Sequence, residues 1–189
     1  YTLTEKASIM KRMKMNLRVA LAVAALGCAG GMGAYASSPV AGSQEVKVAS
    51  QSIAEGQMAP DFTLKDLQGN DLSLSSLRGK YVVLDFWGSW CGWCIKGIPD
   101  MKKYYAKYKD RMEILGIDCR DTEAKWKAAV EKYELPWLHV RNAGNPDVSK
   151  LYGVPGYPTK IVVDPEGKIA KIVVGEDPAF YTYLDELFK

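Results

Sequence analysis

Two hydrophobic rhythms run along the chain after about residue 56. Tyr81-Val82-Val83-Leu84-Asp85-Phe86-Trp87 is apolar throughout except at Asp85, the pattern of a strand buried on both faces. Residues 94–109 instead place Ile95, Ile98, Met101, Tyr104, Tyr105 and Tyr108 three or four apart, which predicts a helix, with Pro99 inside it predicting a kink. Glu113 to Asp118 reads as a second buried strand, and Asp121 or Thr122 can cap a helix reaching about Tyr133. Trp137 to Val140 is a short strand, and Pro146 to Tyr152 a short helix stopped by Gly153. Thr159–Val163 and Lys168–Val174 are strands joined by Asp164-Pro165-Glu166-Gly167, a hairpin signal. Ala179 to Phe188 closes as an amphipathic helix. Upstream, Ala59 to Leu64 reads as extended, Gln68-Gly69-Asn70 as a turn and Asp71 to Leu74 as an alternating strand. The order strand, helix, strand, helix, hairpin, helix predicts an α/β domain, a central mixed sheet with helices on both faces and an N-terminal β extension.

The pattern before residue 56 is different. Lys11, Arg12, Lys14 and Arg18 precede an apolar segment from Val19 to Leu26, and Ala34-Tyr35-Ala36 fits a signal-peptidase site. The chain opens on Tyr1, and Met10, Met13 and Met15 are candidate starts. Residues 1–36 therefore read as a signal peptide cleaved after Ala36, 37–55 as a linker, and 56–189 as one domain long enough for a real core. Lipidation of Cys28 and retention as an uncleaved anchor are the two rival readings, and all three place the domain outside the cytoplasmic membrane. Charge agrees with an export signal. Of 25 Lys and Arg and 22 Asp and Glu, residues 1–36 hold 5 and 1, leaving 20 against 21 in the rest. A near-neutral domain gives no reason to expect nucleic acid or an anionic membrane surface as partner.

The candidate chemistry lies at the strand-to-helix junction. Cys91-Gly92-Trp93-Cys94 starts the predicted helix, where unpaired N–H groups and the helix dipole favour a thiolate. That reads as dithiol/disulfide chemistry with Cys91 as the exposed, attacking sulfur. A zinc site would need further ligands, and the chain has only four cysteines and the single His139, so neither a metal nor a cofactor is expected. A purely structural disulfide over so short a loop would be a weak staple. Cys119, at the end of an apolar run, reads as a half-buried strand residue.

Asp85 is the anomaly of the central strand. Burial raises a carboxyl's pKa, and such an acid can exchange a proton with the inner sulfur, Cys94, during resolution of a mixed disulfide. Pro158, at the mouth of a strand after Gly156 and Tyr157, is a candidate cis bond, and the Tyr157 backbone beside it a ledge for an extended substrate segment. Trp90, Gly92 and Trp93 around the sulfurs complete the candidate substrate surface.

Val83-Leu84-Asp85-Phe86-Trp87-Gly88-Ser89-Trp90-Cys91-Gly92-Trp93-Cys94 resembles the active-site strand and loop of thioredoxin, and Gly156-Tyr157-Pro158-Thr159 resembles its cis-proline loop. With Ala59-Pro60-Asp61-Phe62 and the export signal, the chain resembles the TlpA/ResA-like branch of exported thiol-disulfide reductases over about 56–189. The resemblance implies a thioredoxin-like fold, Cys91 as nucleophile, Cys94 as resolving cysteine, Asp85 as buried acid, Pro158 cis and Pro99 as the helix-kinking proline. Protein disulfides and thiols are the expected substrates, with apocytochrome thiols, misoxidised exported proteins and a dedicated partner all open, and a membrane thiol-disulfide electron donor is expected to restore the dithiol. Two departures stand out. Where ResA-like members often carry a glutamate, three residues after the second cysteine, this chain has Gly97, and Asp85 is expected to take over that glutamate's role. The dipeptide between the sulfurs is Gly92-Trp93, where thioredoxin has Gly-Pro. Rival classes are a thiol peroxidase, suggested by Ala59-Pro60-Asp61-Phe62-Thr63-Leu64, and a non-enzymatic binder of unfolded exported proteins. The peroxidase motif is missing, with Leu84 and Gly88 at the places of its proline and hydroxyl residue.

Overall fold

The computed structural model describes residues 53–189. The expectations for residues 1–36, the cleavage site, Cys28 and nearly all of the 37–55 segment fall outside them. Seven strands form one mixed sheet: β1 (Thr63–Asp66), β2 (Asp71–Ser73), β3 (Tyr81–Trp87), β4 (Met112–Cys119), β5 (Leu138–Asn142), β6 (Thr159–Val163) and β7 (Ile169–Val174). Their spatial order is β2-β1-β5-β4-β3-β6-β7. The inner strands β3, β4 and β5 run parallel, and the outer pairings are antiparallel. The helices are α1 (Gly92–Tyr108), α2 (Glu123–Lys132), α3 (Val148–Leu151) and α4 (Pro178–Leu187), with a 3₁₀ turn at Leu74–Leu77.

The predicted elements recur with ends moved by a few residues. Leu74 leaves the expected strand to begin the 3₁₀ turn. Thr122 caps α2 by accepting from the Lys125 N–H, and Asp147, not Pro146, sets the start of α3 by accepting from the N–H groups of Ser149 and Lys150. Pro99 lies within α1.

The steps β3–α1–β4 and β4–α2–β5 cross the sheet in the same direction, so parallel crossovers of one hand put both helices on one face. That face carries the larger cluster, with Met101 and Tyr108 of α1, Trp126 and Ala129 of α2, and Phe180 and Leu184 of α4 against Val83, Trp87 and Val162. The other face packs Phe62, Leu74, Val148 of α3 and Tyr152 against Leu84, Phe86 and Ile161. Strand alternation therefore sorts β3: Val83, Asp85 and Trp87 point to the three-helix face, Val82, Leu84 and Phe86 to the other. The single polar residue of the run is thus aimed at the layer that also holds both cysteines.

Candidate active site

β3 ends at Trp87, and the chain turns through Gly88-Ser89-Trp90 into α1, whose N-cap is Cys91. The turn is built rather than loose. Asp121, just past β4, accepts the Ser89 N–H at 2.7 Å and its hydroxyl at 2.8 Å. Neighbouring Asp118 is fully buried, and burial first, then the Asp121 carboxylate, push its pKa up to about 8. The Trp90 indole N–H donates to the Cys119 carbonyl at 2.9 Å. Glycine is required at 88, because a Cβ there would fall 2.4 Å from the Trp90 Nε1 and 2.9 Å from the Cys119 oxygen.

Cys91 and Cys94 are joined as a disulfide with Cα atoms 5.2 Å apart. Against the expectation of an exposed Cys91, both residues are buried, Cys91 at 5% and Cys94 at 8% exposure, because both pack into the cluster on the three-helix face. The Cys91 sulfur accepts the Cys94 N–H at 3.2 Å, so it sits where the first unpaired amides of α1 converge. A thiolate formed there on reduction gains that hydrogen bond and the positive end of the helix.

Asp85 lies on the same face, opposite Gly116 of β4 and Lys160 of β6. Burial pushes its carboxyl up to about 6; the Lys160 ammonium lowers it and the Glu176 carboxylate raises it. Lys160 is 2% exposed and bonds Glu176 at 2.6 Å. Glu176 also accepts the Tyr181 hydroxyl at 2.6 Å. Asp85 thus shares a buried charged cluster with Lys160 and Glu176.

The Tyr157–Pro158 peptide is cis, as is Asn145–Pro146. Thr159 pairs with Phe86, which places the 157–158 step at the end of the sheet from which the Cys91 loop departs. Tyr157 meets Trp90 edge-on with ring centres 5.3 Å apart. The Arg120 guanidinium lies over both rings, at 5.4 and 5.2 Å, from a residue with φ of 72°. A non-glycine residue in that region is held there by its surroundings. Trp90 and Trp93 are 47% and 61% exposed, whereas Trp87 is core. Tyr157 and Arg120 border an open groove of about 630 Å³. Cys119 is buried, and burial pushes its thiol up to about 11, which leaves it unreactive as a nucleophile. His139 is buried beside Trp87 and Trp137, and desolvation lowers its pKa to about 4.

The structure brings Trp90 and Tyr157 into contact and packs Tyr157 against the layer that contains Cys91 and Cys94. The motifs do not mark Lys160, Glu176 or Arg120, and Asp121, a cap candidate in the sequence, holds the Ser89 turn while Thr122 caps α2. One signal was available for Lys160: a lysine inside the otherwise apolar Thr159–Val163 strand is as anomalous as Asp85 in β3. Nothing local marks Glu176, whose role depends on a contact across the fold.

A thioredoxin-like sheet with a cysteine pair capping its central helix defines a thiol-disulfide oxidoreductase. The chain belongs to the AhpC/TSA family, matched over residues 55–172, and within it to the ResA-like thiol-disulfide oxidoreductases. The thiol-disulfide oxidoreductase ResA of Bacillus thuringiensis is 37% identical over 122 residues, covering 64% of this chain and 70% of that protein. Among solved structures, the thioredoxin domain of a thiol-disulfide oxidoreductase from Bacteroides vulgatus is 36% identical with a TM-score of 0.67, covering 73% of this chain and 100% of that one. A thiol:disulfide interchange protein from Bacteroides sp. is 38% identical with a TM-score of 0.64, covering 73% and 91%.

Proposed function

We propose that the protein is an exported reductase of protein disulfides. The observation that carries the reading is the Cys91–Cys94 pair at the cap of α1 with a buried acid of raised pKa on the same face of the sheet. In the dithiol form, the Cys91 thiolate attacks one sulfur of a substrate disulfide and expels the other as a thiolate. Cys94 then gives its proton to Asp85 and attacks the Cys91 sulfur, releasing the second substrate thiolate and leaving the Cys91–Cys94 disulfide. Two electrons pass to the substrate in each cycle. A membrane dithiol donor outside the cytoplasm returns them. An acid poised at about 6 suits this exchange, because it holds or releases a proton near neutral pH.

The substrate backbone lies along the Tyr157–Pro158 ledge, between the exposed Trp90 and Trp93 and the groove bordered by Arg120. Export rests on the basic, apolar and small-residue pattern of residues 1–36. A thiol peroxidase would need a hydroxyl three residues before Cys91; that place is Gly88, and the Trp90 indole fills the space beside it.

Insulin-disulfide reduction tests the chemistry. Cys91→Ser should abolish it, and Cys94→Ser should accumulate covalent mixed disulfides with partners. Full activity in the double variant would refute the reading. Mass spectrometry of the mature N-terminus tests export, with a chain starting at Ser37 as the expected product.

A further inference from the structure

We propose that Glu176, on the loop between β7 and α4, is a positioning residue of the redox centre: its carboxylate occupies the side-chain space of Gly97 and, by neutralising buried Lys160, controls the proton on Asp85. The inference rests on the reading of Asp85 as proton partner of Cys94.

Gly97 is buried in α1, one turn after Cys94. A Cβ built on it would fall 2.3 Å from one Glu176 oxygen, 2.5 Å from its carboxyl carbon and 2.8 Å from the other oxygen. No side chain at 97 is compatible with that carboxylate. The helix thus carries its poorest non-proline former where the Glu176 carboxylate packs against it. Both oxygens of Glu176 are held, one by the Lys160 ammonium and one by the Tyr181 hydroxyl, each at 2.6 Å. The Tyr181 hydroxyl is also 3.5 Å from the Gly97 carbonyl, which ties the same group to α1.

A buried ion pair gains little stability over apolar residues of the same volume, so its presence asks for another role. Charge bookkeeping supplies one. Lys160 is the cross-strand partner of Asp85 on the same face and would hold it ionised if left alone. Glu176 cancels that ammonium, and Asp85 keeps its proton to a higher pH. The other elements around Asp85 add no counter-charge: β4 offers Gly116, β5 the neutral His139, α4 the Tyr181 phenol, and α1 the cysteines and Asp100, whose negative charge acts on Tyr181. Burial sets the raised value, and Lys160 and Glu176 are the charged pair that tunes how readily Asp85 accepts a proton.

The test is the pH dependence of the resolving step. The full reduced chain is reacted with a chromogenic aromatic disulfide, and release of the second thiol, which requires Cys94 to attack, is followed by stopped flow. In the native chain this step should rise with pH through the ionisation of Asp85. Glu176→Gln keeps the volume and removes the charge, and should move the midpoint down by about one pH unit, a roughly tenfold gain in ionised Asp85 at the acid end. Gly97→Ala, whose methyl expels the carboxylate, should move it in the same direction, which covers the case of a poorly folded Glu176→Gln. A midpoint unmoved in whichever of these variants folds overturns the proposal. Asp85→Asn separates the two claims. If it abolishes the inflection while the Glu176 and Gly97 variants leave it in place, the role of Glu176 fails alone; if it leaves the inflection untouched, the reading of Asp85 fails and the proposal with it.

Discussion

Asp85→Asn should make the protein more stable at neutral pH while slowing thiol exchange. The carboxyl goes from an ordinary 3.8 in the unfolded chain to about 6 in the fold, with burial as the leading cause. For an acid whose folded pKa is raised, the native state holds the proton more tightly. Stability is then full below pH 3.8, falls as pH rises towards 6, and stays reduced above it. A displacement of that size is worth ~3 kcal/mol, a large share of a marginal total. For a domain of this length it amounts to roughly 10 °C in Tm. Asparagine keeps the shape and carries no charge, so the variant escapes the penalty, less whatever its amide loses by poor hydrogen bonding. Urea melts of the oxidised native and Asp85→Asn chains at pH steps between 3.5 and 8 give the measurement. The difference between the two chains should change in favour of the variant by ~3 kcal/mol across that range, with most of the change between pH 4 and 6. Taking the difference matters, because His139 titrates in the opposite sense and is common to both chains. A flat difference would show that Asp85 ionises in the fold at its ordinary value near 3.8 and would remove it as a proton acceptor of raised pKa.

His139→Leu should flatten the acid limb of the stability curve. The folded pKa lies at about 4 against 6.5 ordinarily, so the native protein loses ~3 kcal/mol as pH falls through that interval, and a leucine variant that still loses it would refute the assignment. Asp121→Ala should cost ~1–3 kcal/mol, since it leaves the half-buried Ser89 N–H and hydroxyl without their acceptor, and should lower the rate of insulin reduction by loosening the turn before Cys91; a loss below half a kcal/mol in urea melts would argue against it. Gly88→Ala should destabilise by ~1–3 kcal/mol and shift the Trp90 fluorescence, because the new methyl collides with the indole nitrogen; an unchanged spectrum would show that the turn yields elsewhere.

The sequence by itself determined what depends on local pattern. The unbroken apolar runs of β3 and β4, the helical spacing after Cys94 and the Asp164–Gly167 turn are readable because burial imposes a period on each element and turn chemistry is set by a few adjacent residues. The cysteine pair, its place at a helix start and the oddity of Asp85 follow from the same patterns. Element ends moved where capping was decided by a side chain, as at Asp147, or where the chain turned into a 3₁₀ segment, as at Leu74. Only the tertiary structure decided what surrounds Asp85. Lys160 reaches it through strand register, Glu176 through a loop some 90 residues on in the chain, and Gly97 matters for the side chain it lacks. Charges separated along the chain act on one another by distance and local dielectric, and neither is written in the spacing of residues. The motif therefore announced two sulfurs and one acid, and the fold added the burial that raises the acid's pKa and the ion pair that tunes it.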